Sequence, residues 1–166
     1  MKPLLLALGL GVGVLCAGEA PIQAQKSAQK SAQNEAQNEA QVIKVLPHLV
    51  DHQGRHALSP SLYERDAYQA ELRGHPEKRA GMQYEVLWTA SRRVSGPLRL
   101  RLELRGAEGG VPETVEMPVK RGFWGRRWTR VLVPPDQYRR LGTVTAWKAT
   151  LLESGKTLAE SRSFLW

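Results

Sequence analysis

The sequence predicts a mainly β protein: an antiparallel β-sandwich of about seven strands with one short helix, preceded by a signal peptide and a disordered linker. Three observations carry this expectation. Leu98-Arg99-Leu100-Arg101-Leu102-Glu103-Leu104 alternates strictly, as a strand with one buried face must. Other stretches of the same period lie before and after it, separated by Gly and Pro turns. The chain before Val42 shows no such pattern and reads as an apolar run followed by a polar repeat.

Met1-Lys2 supplies a minimal positive start, and Leu4 to Cys16 is an apolar run of 13 residues broken only by Gly9, Gly11 and Gly13. That length suits a signal peptide and is short for a membrane span of about 20 residues. Cleavage after Ala20 or Ala24 fits the small residues that follow. Ala24 is preferred, because Pro21 would sit awkwardly after the other cut. A signal peptide over 1–24 makes the chain an exported, periplasmic or extracellular protein with no transmembrane span once mature. The alternative is a lipoprotein anchored at Cys16. Leu15 argues against it, since a small residue normally precedes a lipidated cysteine.

Residues 25–41 form the linker. Within it, Lys-Ser-Ala-Gln occurs twice and Asn-Glu-Ala-Gln twice, with no aromatic or large aliphatic residue. Such a segment cannot bury enough apolar surface to offset chain entropy, so disorder is the expectation. Extended, the repeats would reach on the order of 50 Å at about 3.3 Å per residue.

The domain spans 42–166. Val42–Val50 reads as its first strand, with Pro47 marking an edge or a bulge. A helix follows: Ser61 is placed to cap it, with Glu64 as capping-box partner, and Leu62, Ala67, Tyr68 and Leu72 make a rough apolar face that ends at Gly74 and Pro76. Met82, Tyr84, Val86, Trp88 and Ala90 alternate into a strand. Ser95-Gly96-Pro97 then predicts an antiparallel hairpin to the Leu98–Leu104 strand. Val115, Met117 and Val119 give another strand, Trp128–Val133 the next, and Val144–Leu152 with Leu158–Trp166 a last hairpin around Glu153-Ser154-Gly155-Lys156.

Composition bounds the function. The chain carries 24 Lys and Arg, 16 Asp and Glu, and a net charge of +8; three of each sign precede Val42, so the whole excess sits on the domain. A basic domain attracts anionic polymers and lipid surfaces. The single cysteine, Cys16, lies in the leader, which leaves the domain without a disulfide, a thiol nucleophile or a cysteine metal site.

Leu132-x-Pro134-x-Asp136-x-Tyr138, just before the strand near Thr143, is similar to the tyrosine corner of immunoglobulin-like and fibronectin-type sandwiches. A short helical turn begun by Pro134-Pro135-Asp136 accounts for the same residues. Ser59-Pro60-Ser61-Leu62-Tyr63-Glu64-Arg65-Asp66-Ala67-Tyr68-Gln69-Ala70 and the ending Ser163-Phe164-Leu165-Trp166 resemble a group of uncharacterised exported bacterial proteins. That resemblance covers most of 42–166. It implies an immunoglobulin-like sandwich and export, and it implies no activity.

Three constellations bear on chemistry. His48, His52 and His56 are spaced by four. Along a strand, fourth neighbours lie about 13 Å apart, so these could share zinc or copper with Asp51 only if Asp51-His52-Gln53-Gly54 turns the chain back. Surface or turn histidines are the plainer reading, and no cofactor is expected. For catalysis there is no Gly-x-Ser-x-Gly elbow and no His-Glu-x-x-His. Glu64, Asp66 and Glu71 stand among Arg65 and Arg73, where salt bridges docking the helix on the sheet are expected in place of acid–base work.

The third constellation is Lys120-Arg121-Gly122-Phe123-Trp124-Gly125-Arg126-Arg127-Trp128-Thr129-Arg130. Cations interleaved with aromatics hold anionic polymers, because Arg pairs with phosphate, sulfate or carboxylate while Trp stacks on rings. Candidate ligand-binding residues are Lys120, Arg121, Trp124, Arg126, Arg127 and Arg130, with Arg99 and Arg101 extending the patch if the strands are neighbours. The competing expectation is a β-hairpin turning at Gly122 to Gly125, with Trp128 in the core, Trp124 as a second candidate for it, and the arginines solvated. The expected function is a non-enzymatic envelope interaction module with a protein partner. The alternative is an anionic-polymer binder of acidic glycan or lipopolysaccharide, in preference to nucleic acid.

Overall fold

A computed structural model describes residues 39–107, 109–122 and 125–166. The expected signal peptide, the linker up to residue 38, Glu108, Phe123 and Trp124 lie outside them. The described chain runs β1 (Ala40–Asp51), α1 (Leu62–Gly74), a 3-10 turn (Pro76–Lys78), β2 (Arg79–Ala90), β3 (Leu98–Gly106), β4 (Glu113–Val119), β5 (Arg126–Leu132), α2 (Pro135–Leu141), β6 (Val144–Glu153) and β7 (Lys156–Arg162). The strands form two antiparallel sheets, ordered β1-β2-β5 and β4-β3-β6-β7. This is a mainly β, sandwich-like fold.

Period-two patterning decides which side of each strand is buried. Leu98, Leu100, Leu102 and Leu104 of β3 meet Tyr84, Val86, Trp88 and Ala90 of β2 in one core, with Val131, Ala149, Leu151 and Leu158 between them. Each fully buried Leu or Val contributes about 1.5–3 kcal/mol. The Trp88 indole N–H donates to Thr129 Oγ1 at 2.8 Å, which satisfies the one polar atom of the largest core side chain and ties β2 to β5.

Several expectations require correction. β2 and β3 do not form a hairpin: β2 pairs with β1 and β5, whereas β3 pairs with β4 and β6. Their apolar faces look at each other across the core. The link between them is held to the second sheet, where Ser95 N and Gly96 N donate to Glu153 Oε1 at 3.0 and 2.6 Å. Turn chemistry alone does not distinguish a hairpin from a crossing between layers. Likewise, 120–130 is not a β-hairpin, because β4 and β5 belong to different sheets.

β1 begins at Ala40, two residues inside the repeat segment; Ala40 is buried opposite Ala90. Pro47 lies on this edge strand, where a missing N–H costs no ladder bond. Pro134-Pro135-Asp136 opens α2, so the helical alternative is the one adopted. Tyr138 rides on that helix, and its hydroxyl makes no hydrogen bond among the described residues. β7 stops at Arg162, short of the expected Trp166.

α1 is capped by Ser61, whose Oγ accepts from Glu64 N at 3.5 Å. The second half of the box is missing: Ser61 N donates to Ser59 Oγ at 3.2 Å. The expected apolar face is also narrower. Leu72 is buried, but Leu62 and Ala67 are exposed and the buried neighbour is Gln69. Salt bridges do not dock the helix. Arg65 pairs with adjacent Asp66 at 2.9 Å, and Glu71 with Lys78 at 2.5 Å. Docking comes from Gln69, hydrogen-bonded to the Leu49 backbone, and from Tyr68, which donates to Asp51.

Candidate functional site

The basic-aromatic segment crosses from β4 to β5. Gly125 sits at φ +80° and donates its N–H to Gly122 O at 3.0 Å, a left-handed turn that favours glycine. A Cβ on Gly122 would lie 2.7 Å from Arg126 O, so this crossing requires the absence of a side chain. Lys120 is exposed. Arg121 is structural: its Nη1 donates to Ser91 O and Val94 O, both at 3.1 Å, and tethers the link after β2. Trp124 lies outside the described residues.

β5 then exposes what was expected to be core. Thr129, Val131 and Val133 face inward and are buried, so Arg126, Trp128, Arg130 and Leu132 take the outward parity. Trp128 is 49% exposed and Leu132 55%. The expectation that Trp128 fills the core fails because Trp88 already occupies that space and its bond to Thr129 sets the register. Arg127 shares a side with Trp88 but lies exposed at the strand end.

Directly opposed residues share a face of an antiparallel pair. Lys44, Leu87 and Trp128 therefore form one outward row across the sheet, and Leu46, Glu85 and Arg130 the next. Arg130 Nη2 lies 3.6 Å from Glu85 Oε1. Among the described residues, Arg126, Arg127 and Lys44 pair with no carboxylate.

Arg99 and Arg101 do not extend this patch. They lie on the other sheet, and both bond to Glu116, whose carboxyl is held below its ordinary range by Arg101 first and Arg99 second. Other cations near that face also have partners, though exposed Arg105 and Arg162 have no carboxylate among the described residues. Lys148 pairs with Glu103 at 2.7 Å, Arg140 with Glu113 at 2.8 Å, and Arg105 stacks 4.2 Å over the Trp166 ring.

The histidines separate. Asp51-His52-Gln53-Gly54 does turn the chain back, with Gly54 N donating to Asp51 O at 2.9 Å, and brings the His48 and His56 rings to 5.0 Å. His52 leaves this pair: it is exposed, with Nε2 3.0 Å from Glu77 O. His48 is buried, and burial first, then His56, pushes its pKa down. Its Nε2 lies 3.8 Å from Glu85 Oε2 and makes no hydrogen bond among the described residues. Asp51 is committed elsewhere, accepting from Tyr68 Oη at 2.7 Å and from Arg55 N and Nε at 2.8 Å. Among the described residues no three His, Cys, Asp or Glu side chains are gathered to hold a metal ion.

Sequence reasoning missed Gln69, Lys44, Leu87 and Leu132. The parity of Val131 and Val133 was a usable signal for Leu132, since buried valines on one side of a strand place their neighbours on the other. No protein-family profile matches the chain, and no curated protein matches it significantly.

Proposed function

We propose that the protein is an exported, non-enzymatic interaction module of the cell envelope, built on an immunoglobulin-like sandwich and working through the outer face of its β1-β2-β5 sheet. Support for the immunoglobulin-like reading comes from the strand order. The fifth strand returns to the sheet of the first two, and the third and sixth lie side by side in the other, as in fibronectin-type sandwiches. Support for export comes from the apolar run at residues 4–16. Among the described residues no helix is long and apolar enough to cross a membrane.

The observation that carries the contact surface is Trp128, half exposed on β5 between Arg126 and Arg130. A large aromatic ring left in water beside cations is the composition of a binding surface, where Trp and Arg are enriched. A second reading, an anionic-polymer binder of acidic glycan or lipopolysaccharide, is favoured by one asymmetry. Arg99, Arg101 and Lys148 of the other sheet are each paired with a carboxylate, whereas neighbouring Arg126 and Arg127 have no carboxylate partner among the described residues.

Retention on heparin, compared with a plain cation exchanger, tests both. Elution from heparin at clearly higher salt, abolished by Arg126→Glu with Arg127→Glu in a folded variant, supports a structured anion-binding surface on β5. Equal elution on the two columns means that the charge acts only diffusely, which removes the anionic-polymer reading and turns the search to other partners of this surface.

A further inference from the structure

The outward face of the β1-β2-β5 sheet combines two properties that a sandwich exterior rarely joins. Outer faces normally alternate to polar residues. Here Leu46, Leu87, Trp128 and Leu132 all take the outward side, and the last two are about half exposed. His48 and Gln83, in the same row as Leu132, are buried, whereas Leu132 and Trp128 stay open. Around the apolar residues stand Lys44, Arg126 and Arg130, of which only Arg130 has a carboxylate neighbour, Glu85 at 3.6 Å.

The aliphatic residues discriminate between partners. A hydrated glycan can stack on Trp128, but it offers nothing to Leu132, whose side chain has no ring face and gains only by leaving water. A bilayer interface rewards both. Indole rings settle at headgroup level, and cations are drawn to an anionic lipid surface.

We infer that this face is a peripheral membrane-binding surface, docking on a bilayer that displays anionic phospholipid headgroups, with Trp128 and Leu132 entering the interface while Lys44, Arg126 and Arg130 meet the phosphates. The inference rests on the reading of the β5 outer face as the contact surface and names its partner. Leu87 stands directly opposite Trp128, and Leu46 lies in the next row.

The test is co-sedimentation of the protein from Gln25 onward, its expected mature form, with vesicles of phosphatidylcholine containing roughly a third phosphatidylglycerol, and with phosphatidylcholine alone. Binding to the anionic vesicles only, weakened by salt, is expected. Trp128→Ser and Leu132→Ser should each lower vesicle affinity by about tenfold. Both side chains are exposed, so circular dichroism should show unchanged folding. Leu132→Ser should leave heparin retention as it was. Heparin retention through Arg126 without vesicle binding would overturn the membrane inference in favour of an acidic glycan, leaving the contact surface standing. Vesicle binding untouched by both serine variants would overturn it as well. Loss of neither vesicle nor heparin binding in Arg126→Glu would remove the contact surface itself.

Discussion

Gln69 pairs with the backbone of Leu49 as a neighbouring strand would. Its side-chain oxygen accepts from Leu49 N and its nitrogen donates to Leu49 O, both at 2.8 Å, while the same nitrogen donates to His56 O at 2.8 Å. β1 ends its sheet, and an open edge is a template for unwanted pairing. The helix thus closes part of that edge with a single amide and is docked by the same contact.

Gln69→Ala removes these partners and leaves buried backbone groups unsatisfied. The expected loss is about 2 kcal/mol of unfolding free energy, read from urea denaturation. Gln69→Glu, which keeps the acceptor and loses the donor, should also destabilise. A change in Gln69→Ala within about 0.5 kcal/mol, the range of ordinary surface substitutions, would show that water replaces the amide at no cost.

Asp51 makes stability depend on pH at the acid end. Burial alone would raise its pKa. The Tyr68 hydroxyl and the Arg55 donors outweigh burial and hold it at about 2, below the ordinary 3.8. A depressed carboxylate stabilises the fold fully above its unfolded pKa, and that contribution disappears as pH falls through the folded one. The difference corresponds to about 2 kcal/mol. Unfolding free energy should therefore drop between pH 4 and pH 2, in the range set by these two values. Asp51→Asn should be less stable at neutral pH and flatter across that window. Parallel pH profiles for the two proteins would assign the acid sensitivity elsewhere.

The two tryptophans of the β2–β5 pair should respond in opposite ways to truncation. Trp88 is fully buried and Trp128 half exposed. Trp88→Ala should cost about 3–5 kcal/mol, and Trp128→Ala less than about 1 kcal/mol. Comparable losses at both positions would mean that β5 carries the opposite face inward.

Glu116 separates paired from unpaired charge. It bridges Arg99 and Arg101 across the β3–β4 pair. Glu116→Gln should release two guanidinium groups and raise the salt needed to elute the protein from heparin. The effect on stability should be small, about 1 kcal/mol or less, as for other partly exposed pairs. Unchanged elution would show that Arg99 and Arg101 are already neutralised by some other contact.

Patterns that depend only on neighbours in the chain were legible in the sequence. The alternation of Leu98–Leu104 and of Tyr84–Trp88 identified strands and their buried sides, because side chains on a strand alternate whatever the strand pairs with. Ser61 was legible as a helix cap for the same local reason. The order of strands was not. Ser95-Gly96-Pro97 suits a hairpin and a crossing equally, and the choice fell to Glu153, 57 and more residues away, which binds the link to the second sheet.

The candidate surface divides along the same line. The cations of 120–130 are visible as composition, but their availability is not. Glu116 neutralises Arg99 and Arg101 across a strand pair, and Ser91 and Val94 carbonyls occupy Arg121. Trp128 reads as core by hydrophobicity alone, since a tryptophan gains most by burial. The tertiary structure turns it outward because only one parity of β5 can face the core, and the Trp88–Thr129 bond with buried Val131 and Val133 claims that parity first. By itself the sequence determined which segments are strands. Packing between segments far apart in the chain decided which residues remain for a partner.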